Sequence, residues 1–232
     1  MTPPPEINPT LTIDTIIVPQ GAEFQAVIRG LQQCDLDTIE IISVPIGTSA
    51  LLETLAGCAA KLSKAKQVLL MGLCGSLSKK YSPGDSVAIA SCLNQLNHQV
   101  DLNLELTTKI KNVLSVDRVI SLTSDRIITQ AAEKRKLSQQ YAASIVEMEG
   151  YDYAIQLQKQ GISVAMVRVV SDDLAGDIPD LSQVLDPQGN LQAIPMAIAL
   201  FKQPRAAMRL IKGSLVGLKA LEQATIKLFG SE

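Results

Sequence analysis

The sequence predicts a single α/β domain over residues 1–232, with a mixed, mostly parallel central sheet flanked by helices. Residues 188–232 are expected to form a C-terminal helical extension. Three observations predict this. Short, continuously apolar runs recur along the chain, as strands buried on both faces require. Mixed segments of helix length, roughly 10–15 residues, separate them, as in βαβ units. There is no internal repeat and no long linker, so one core serves the whole chain.

The elements follow in order. "TIDTIIVP" reads as a first strand and "GAEFQAVIRGLQQ" as the helix behind it. "TIEIISVPIG" is a strand ending at Gly47. "TSALLETLAGCAAKLS" is a helix capped by Thr48 or Ser49, whose hydroxyls can accept a first-turn N–H. "KQVLLMGLCGS" is a buried strand running into a Gly turn, and "DSVAIASC", "RVISLTS" and "ISVAMVRVVSD" are further strands. "ITQAAEKRKLSQQYA" and "EGYDYAIQLQKQG" read as helices, and residues 204–229 as one long helix or two short ones. Residues 1–11, "MTPPPEINPTL", form a Pro-rich, flexible leader with no basic or apolar region of a signal peptide.

Composition narrows the function classes. Apolar residues are 47% and charged ones 19%, a packed globular balance. A net charge of −2, no Trp and 3% aromatics supply neither a cationic footprint nor stacking platforms, so no nucleic-acid partner is expected. Cys34, Cys58, Cys74 and Cys92 form no C-x-x-C pair, and His98 is the single histidine, in a polar stretch. No metal site is expected, the cysteines read as core residues of a reducing compartment, and the location is cytoplasmic. No apolar run reaches the roughly 18 residues of a spanning helix. Residues 202–232 carry six Lys or Arg and two Glu. Met208, Ile211, Leu215 and Leu218 share one stripe there. The plain reading is a terminal helix docked on the domain. The sharper one is weak contact with a membrane surface.

Ligands of open α/β sheets bind beyond the carboxyl ends of the strands. Polar residues gather at such ends here: Glu23, Gly47-Thr48, Gly75-Ser76, "TSDRI", Glu147-Met148-Glu149 and Ser171-Asp172. "GLCGSL" is neither G-x-G-x-x-G nor a Walker loop, and no G-x-S-x-G occurs.

Three blocks in order, "MGLCGSLSKKYSPGDSVAIAS", "IVEMEGYDYA" and "VRVVSDD", resemble the purine nucleoside phosphorylase and methylthioadenosine/adenosylhomocysteine nucleosidase superfamily. The resemblance covers roughly Ile13 to Asp173. The tail "LDPQGNLQAIPMAIALFKQPRAAMRLIKGS" is similar to the hopanoid-associated phosphorylase branch. The resemblance implies a nucleoside phosphorylase-like fold and cleavage of the N-glycosidic bond of an adenine nucleoside. A 5′-modified substrate is expected: methylthioadenosine, adenosylhomocysteine or an adenosyl-hopane. It implies Asp172 as the acid that protonates purine N7, with Ser171 orienting it. Glu149 would hold the ribose hydroxyls over Met148, and Ile127 and Ile128 would contact the base. Glu147 is expected to point elsewhere, to an internal hydrogen bond or the ribose edge. No cofactor is implied. Inorganic phosphate is a co-substrate only if the enzyme is a phosphorylase, and Gly21, Gly47, Thr48, Gly75 and Ser76 would then surround it. If water is the nucleophile, Glu23 would position it, or Gln25 at an offset of two. Leu70 and Leu73 occupy the places of a phosphorylase's Arg and hydroxyl, and these departures, with Ile127, keep open a nucleoside-binding protein without turnover. A homo-oligomer is expected, as for most soluble enzymes of this kind.

Overall fold

The computed structural model describes residues 11–34 and 39–230. Residues 1–10 of the predicted leader lie outside them.

Helices follow β1 (Thr15–Pro19) and β2 (Glu40–Val44), whereas β3 (Gln67–Ser76), β4 (Ser86–Leu93) and β5 (Gln99–Asp101) follow one another with no helix between them. Strands β6 (Asp117–Thr123), β7 (Ile145–Glu147) and β8 (Ser163–Asp172) complete one sheet. Its order is β2-β1-β3-β7-β6-β4-β5, with β8 paired to both β3 and β4. β3 pairs with β8, β8 with β4, β4 with β6, β6 with β7 and β7 with β3, so these five close into a ring. The sheet is mixed as predicted: β8 runs parallel to β3 and antiparallel to β4.

Side-chain alternation sends neighbouring residues to opposite faces. Ile17 and Leu70 join the core under α2 (Leu51–Gly57) and α6 (Gly150–Lys159). Ile16, Val18 and Leu69 join the other core, with α1 (Ala22–Leu31), α4 (Leu104–Leu114) and α8 (Pro204–Phe229). α4 is not among the helices expected from the sequence; Asn103 caps it by accepting the Leu106 N–H at 3.0 Å. The helix expected from Thr48 to Ser63 divides after Gly57, a weak helix former, into α2 and the one-turn α3 (Ala59–Leu62). α5 spans Ala131–Gln140 and α7 spans Ala193–Lys202.

The C-terminal helix is docked on the domain, as the plain reading of the sequence has it. α8 is continuous, begins with Pro204 in its first turn, and crosses both α1 and β8. Its glycines are the crossing points. A Cβ on Gly213 would lie 2.0 Å from the Ser171 carbonyl oxygen, and one on Gly217 would lie 3.0 Å from Leu73 Cδ2. Glycine lowers helix propensity here, yet only glycine lets the helix approach the strand backbone that closely. No helix among the described residues is long and apolar enough to cross a membrane. Cys34, Cys74 and Cys92 are buried, and His98 is exposed.

Candidate active site

Beyond the ends of β1, β3 and β8 lies a cavity of about 190 Å³ lined by Glu23, Leu73, Gly75, Ile127, Ile128, Met148, Glu149, Ser171 and Asp172, among others. Larger hollows of about 390 and 770 Å³ near the start of β4 are lined by residues such as Lys80, Lys111 and Lys227, and none of the predicted site residues reaches them. Chemistry, not volume, marks the smaller cavity as the candidate site.

Three carboxylates gather around one guanidinium. Arg168, inside β8 and 2% exposed, meets Glu147 at 3.0 Å and Glu149 at 3.2 Å. Gly72 leaves space beside it, since a Cβ there would sit 2.5 Å from Arg168 Nη1 and 2.7 Å from Glu23 Oε2. The adjacent Glu147 and Glu149 have different tasks. Glu147 is consumed by the protein: its Oε1 accepts the Thr123 hydroxyl at 2.5 Å, and its Oε2 accepts the N–H groups of Glu149 and Gly150 at 2.9 and 2.6 Å. It therefore ties the start of α6 to β7 and satisfies first-turn donors that would otherwise be orphaned. Glu149 lies on the cavity wall with fewer partners, the Gly47 N–H at 2.9 Å and Arg168. Burial raises the Glu149 carboxyl above its ordinary range, and the Arg168 charge opposes that rise.

Glu23, in the first turn of α1, accepts the Leu73 N–H at 2.6 Å. Burial of its carboxyl, and then the Glu149 charge, push it up to about 7. Gln25 is on the exposed side of α1, so Glu23 is the residue of this pair that reaches the cavity. Asp172 ends β8. Its Oδ1 accepts from the Ser171 hydroxyl at 3.0 Å, a hydroxyl that also lies 3.2 Å from the Cys74 carbonyl. Its Oδ2 contacts Lys134 Nζ of α5.

Of the residues expected around an anion, only Gly75 lines the cavity. Ser76 donates its hydroxyl to the Ser78 carbonyl at 2.7 Å, inside a turn. The Gly47 N–H is used by Glu149. Gly21 is exposed at the start of α1, and Thr48 lies off the cavity wall. Leu70 is a core residue, Arg29 pairs with Glu222 on the surface, and Arg126 at the cavity wall pairs with Glu133. Arg168 and Lys134 were missed as partners of the site. Each is one cation in an ordinary strand or helix pattern, and only the fold sets it against a carboxylate.

An apolar wall completes the cavity. Ile178 and Leu181, in the segment after β8, and Leu210 of α8 face Ile127 and Ile128. A hollow of about 430 Å³ adjoins at Ser171 and Asp172 and is otherwise lined mainly by α8, including Met208 and Lys212.

Comparison with known proteins fits this architecture. The fold matches the 5′-methylthioadenosine/S-adenosylhomocysteine nucleosidase of Helicobacter pylori, solved with butyl-thio-DADMe-Immucillin-A, at a TM-score of 0.61 and 18% identity over 92% of this chain and 98% of that one. It matches the 5′-methylthioadenosine nucleosidase of Arabidopsis thaliana at a TM-score of 0.66 and 15% identity, covering 93% and 94%. The futalosine hydrolase of Helicobacter pylori aligns at a TM-score of 0.58 and 19% identity, covering 88% and 97%. No curated protein matches the sequence. The model of the phosphorylase superfamily matches residues 38–199, well over half of the sequence, and the chain belongs to that superfamily.

Proposed function

We propose that the protein hydrolyses the N-glycosidic bond of a purine nucleoside, and that its substrates are adenine nucleosides with an apolar 5′ substituent. One observation carries this reading: the cavity wall bears Glu23, Glu149 and Asp172, while Arg126, the one cation lining it among the described residues, is paired with Glu133. As the bond breaks, positive charge grows on the ribose and negative charge on the base. Glu149 would accept the ribose hydroxyls and favour the developing cation. Asp172 would deliver a proton to N7, so that the C1′–N9 electron pair leaves on a neutral base. Glu23, when ionised, would take the proton of the attacking water. A phosphate dianion would have to enter beside these carboxylates with no uncommitted cation on the wall, which favours water as the nucleophile. The relatives named for methylthioadenosine and adenosylhomocysteine support the adenine and 5′-thio part of the reading. The wall of Ile178, Leu181 and Leu210 supports an apolar 5′ group, up to a lipid tail such as that of an adenosyl-hopane.

The test is incubation with methylthioadenosine and with adenosylhomocysteine, with and without phosphate, with the sugar product identified by mass spectrometry. Free sugar in the absence of phosphate is expected. Sugar 1-phosphate formed only with phosphate would overturn the hydrolytic reading. Intact nucleoside in every tube, with adenine still raising the melting temperature, would replace turnover by nucleoside binding.

A surface strip supports the lipid end of this substrate range. Of eleven exposed large hydrophobic residues among those described, eight lie between Leu191 and Val216, including Ile194, Ile198, Phe201 and Met208. No Asp or Glu occurs between Asp186 and Glu222, whereas Lys202, Arg205, Arg209 and Lys212 do. This combination suits an anionic lipid surface. A two-fold contact with a second copy would set these cations against themselves. Sedimentation with phosphatidylglycerol vesicles, but not phosphatidylcholine vesicles, is expected, and Phe201→Ser should weaken it. Light scattering on the same samples reports the homo-oligomer, and loss of an oligomer in Phe201→Ser would reassign the strip to a self-contact.

A further inference from the structure

We infer that Lys134 is a positioning residue and proton reservoir for Asp172, the two side chains acting as one proton-sharing pair that protonates the departing base. The inference rests on the hydrolytic reading above. Its geometry is independent of that reading. α5 is a polar helix, AAEKRKLSQQ, and Lys134 alone of its charged residues is turned fully inward, at 1% exposure. Its Nζ meets Asp172 Oδ2, an atom with no other hydrogen-bond donor. Space for the pair comes from Gly75, where a Cβ would stand 3.1 Å from both Nζ and Oδ2.

The other groups facing Lys134 do not compete for it. They are Cys74 on β3, Asp173 and Asp177 after β8, and Arg209 on α8. Asp173 is paired with Arg209, and Asp177 accepts the Ala131 N–H at 2.8 Å. Burial pushes the Cys74 thiol up to about 12, so it stays neutral.

The chemistry follows from what an ammonium does to a carboxylate. It favours the anionic form of a carboxylate in contact with it. The transferable proton then resides on the lysine. In the step, an Nζ–H bond breaks as the Asp172 carboxylate takes the proton. The carboxyl O–H then gives its proton to the N7 lone pair while the C1′–N9 electrons pass into the ring. A neutral amine, a carboxylate and a neutral base result, and solvent reprotonates the amine after the base has left. Arginine could not serve, because it does not deprotonate in proteins. Burial lowers Lys134 to about 8, a value close to working pH.

The test compares wild type with Lys134→Met, a near-isostere that carries no proton. Base release from methylthioadenosine and phenolate release from a 4-nitrophenyl riboside are measured across pH. The second leaving group departs as an anion and has no N7. Wild type is expected to lose activity on methylthioadenosine as pH rises through about 8. In Lys134→Met that limb moves to lower pH and the rate at pH 8 falls by about 10²-fold or more. Phenolate release stays within about twofold. Equal losses on both substrates, or an unmoved limb, would overturn the inference. Should Lys134→Met fail to fold by circular dichroism, Lys134→Gln keeps a polar donor without a titratable proton, and the same substrate ratio decides. No base release by the wild type would sink the hydrolytic reading and this inference together, whereas release with an unchanged ratio sinks this inference alone.

Discussion

Two buried carboxylate–cation clusters border the cavity, and they are built differently. Around Arg168, every carboxylate has fixed donors: Glu147 takes a hydroxyl and two backbone N–H groups, Glu149 takes the Gly47 N–H, and Glu23 takes the Leu73 N–H. Asp172 has only the Ser171 hydroxyl and Lys134. The first cluster is held by a cation that cannot titrate, the second by one that can. The contrast separates a place that holds charge, where the proposed reading puts the ribose, from a place where a proton can move.

Breaking the first cluster should have the largest effect. Arg168→Met leaves Glu147, Glu149 and Glu23 without their common counter-charge, and removing one partner of a buried pair typically costs about 3–5 kcal/mol. Urea unfolding should show that loss, and an unchanged midpoint would make the cluster energetically idle. In the second cluster, Asp172→Asn keeps shape but has no proton to give. Cleavage should fall by about 10²–10⁴-fold with ligand affinity retained. Wild-type turnover would remove Asp172 from the role.

A packing test follows. Gly213→Ala forces a methyl group onto the Ser171 carbonyl and should cost about 1–3 kcal/mol, read from thermal melts, with activity also reduced because Ser171 carries Asp172. An unaltered melt would mean that α8 can lift off β8 freely.

The smallest effect is a pH dependence. Glu23 acts as a base only when ionised, and it is raised to about 7, so activity should rise as pH rises through that value. Glu23→Gln should remove this limb from the pH profile. The stability linkage has the opposite direction. A carboxyl raised on folding favours the native state at acid pH, and that contribution is lost as pH rises through about 7. Stability profiles of Glu23→Gln should therefore be flatter than wild type between pH 5 and 7.

Much of this was legible from residue order. The strands through Ile17, Leu70 and Val167 are continuous apolar runs, and such runs are buried wherever they pair. Glu23, Glu149 and Asp172 stood at strand ends, where a core has no use for charge. Of the residues expected around an anion, only Gly75 lines the cavity, because a hydroxyl or N–H shows only capacity in sequence. Ser76 spends its hydroxyl on Ser78, and Gly47 spends its N–H on Glu149. α4 escaped notice because "LELTTKIKNVL" mixes polar and apolar residues without a strong break from its surroundings.

By itself the sequence determined the α/β class, the strand ends and the types of acid available, since these depend on local pattern and chemistry. Tertiary structure alone decided which charges meet. Arg168 and Glu147 are 21 residues apart, and Lys134 and Asp172 are 38 apart, on different elements. Pairing across such separations depends on the ring of strands and on glycines that clear space, and a change in proton affinity arises only once burial has removed the competing water.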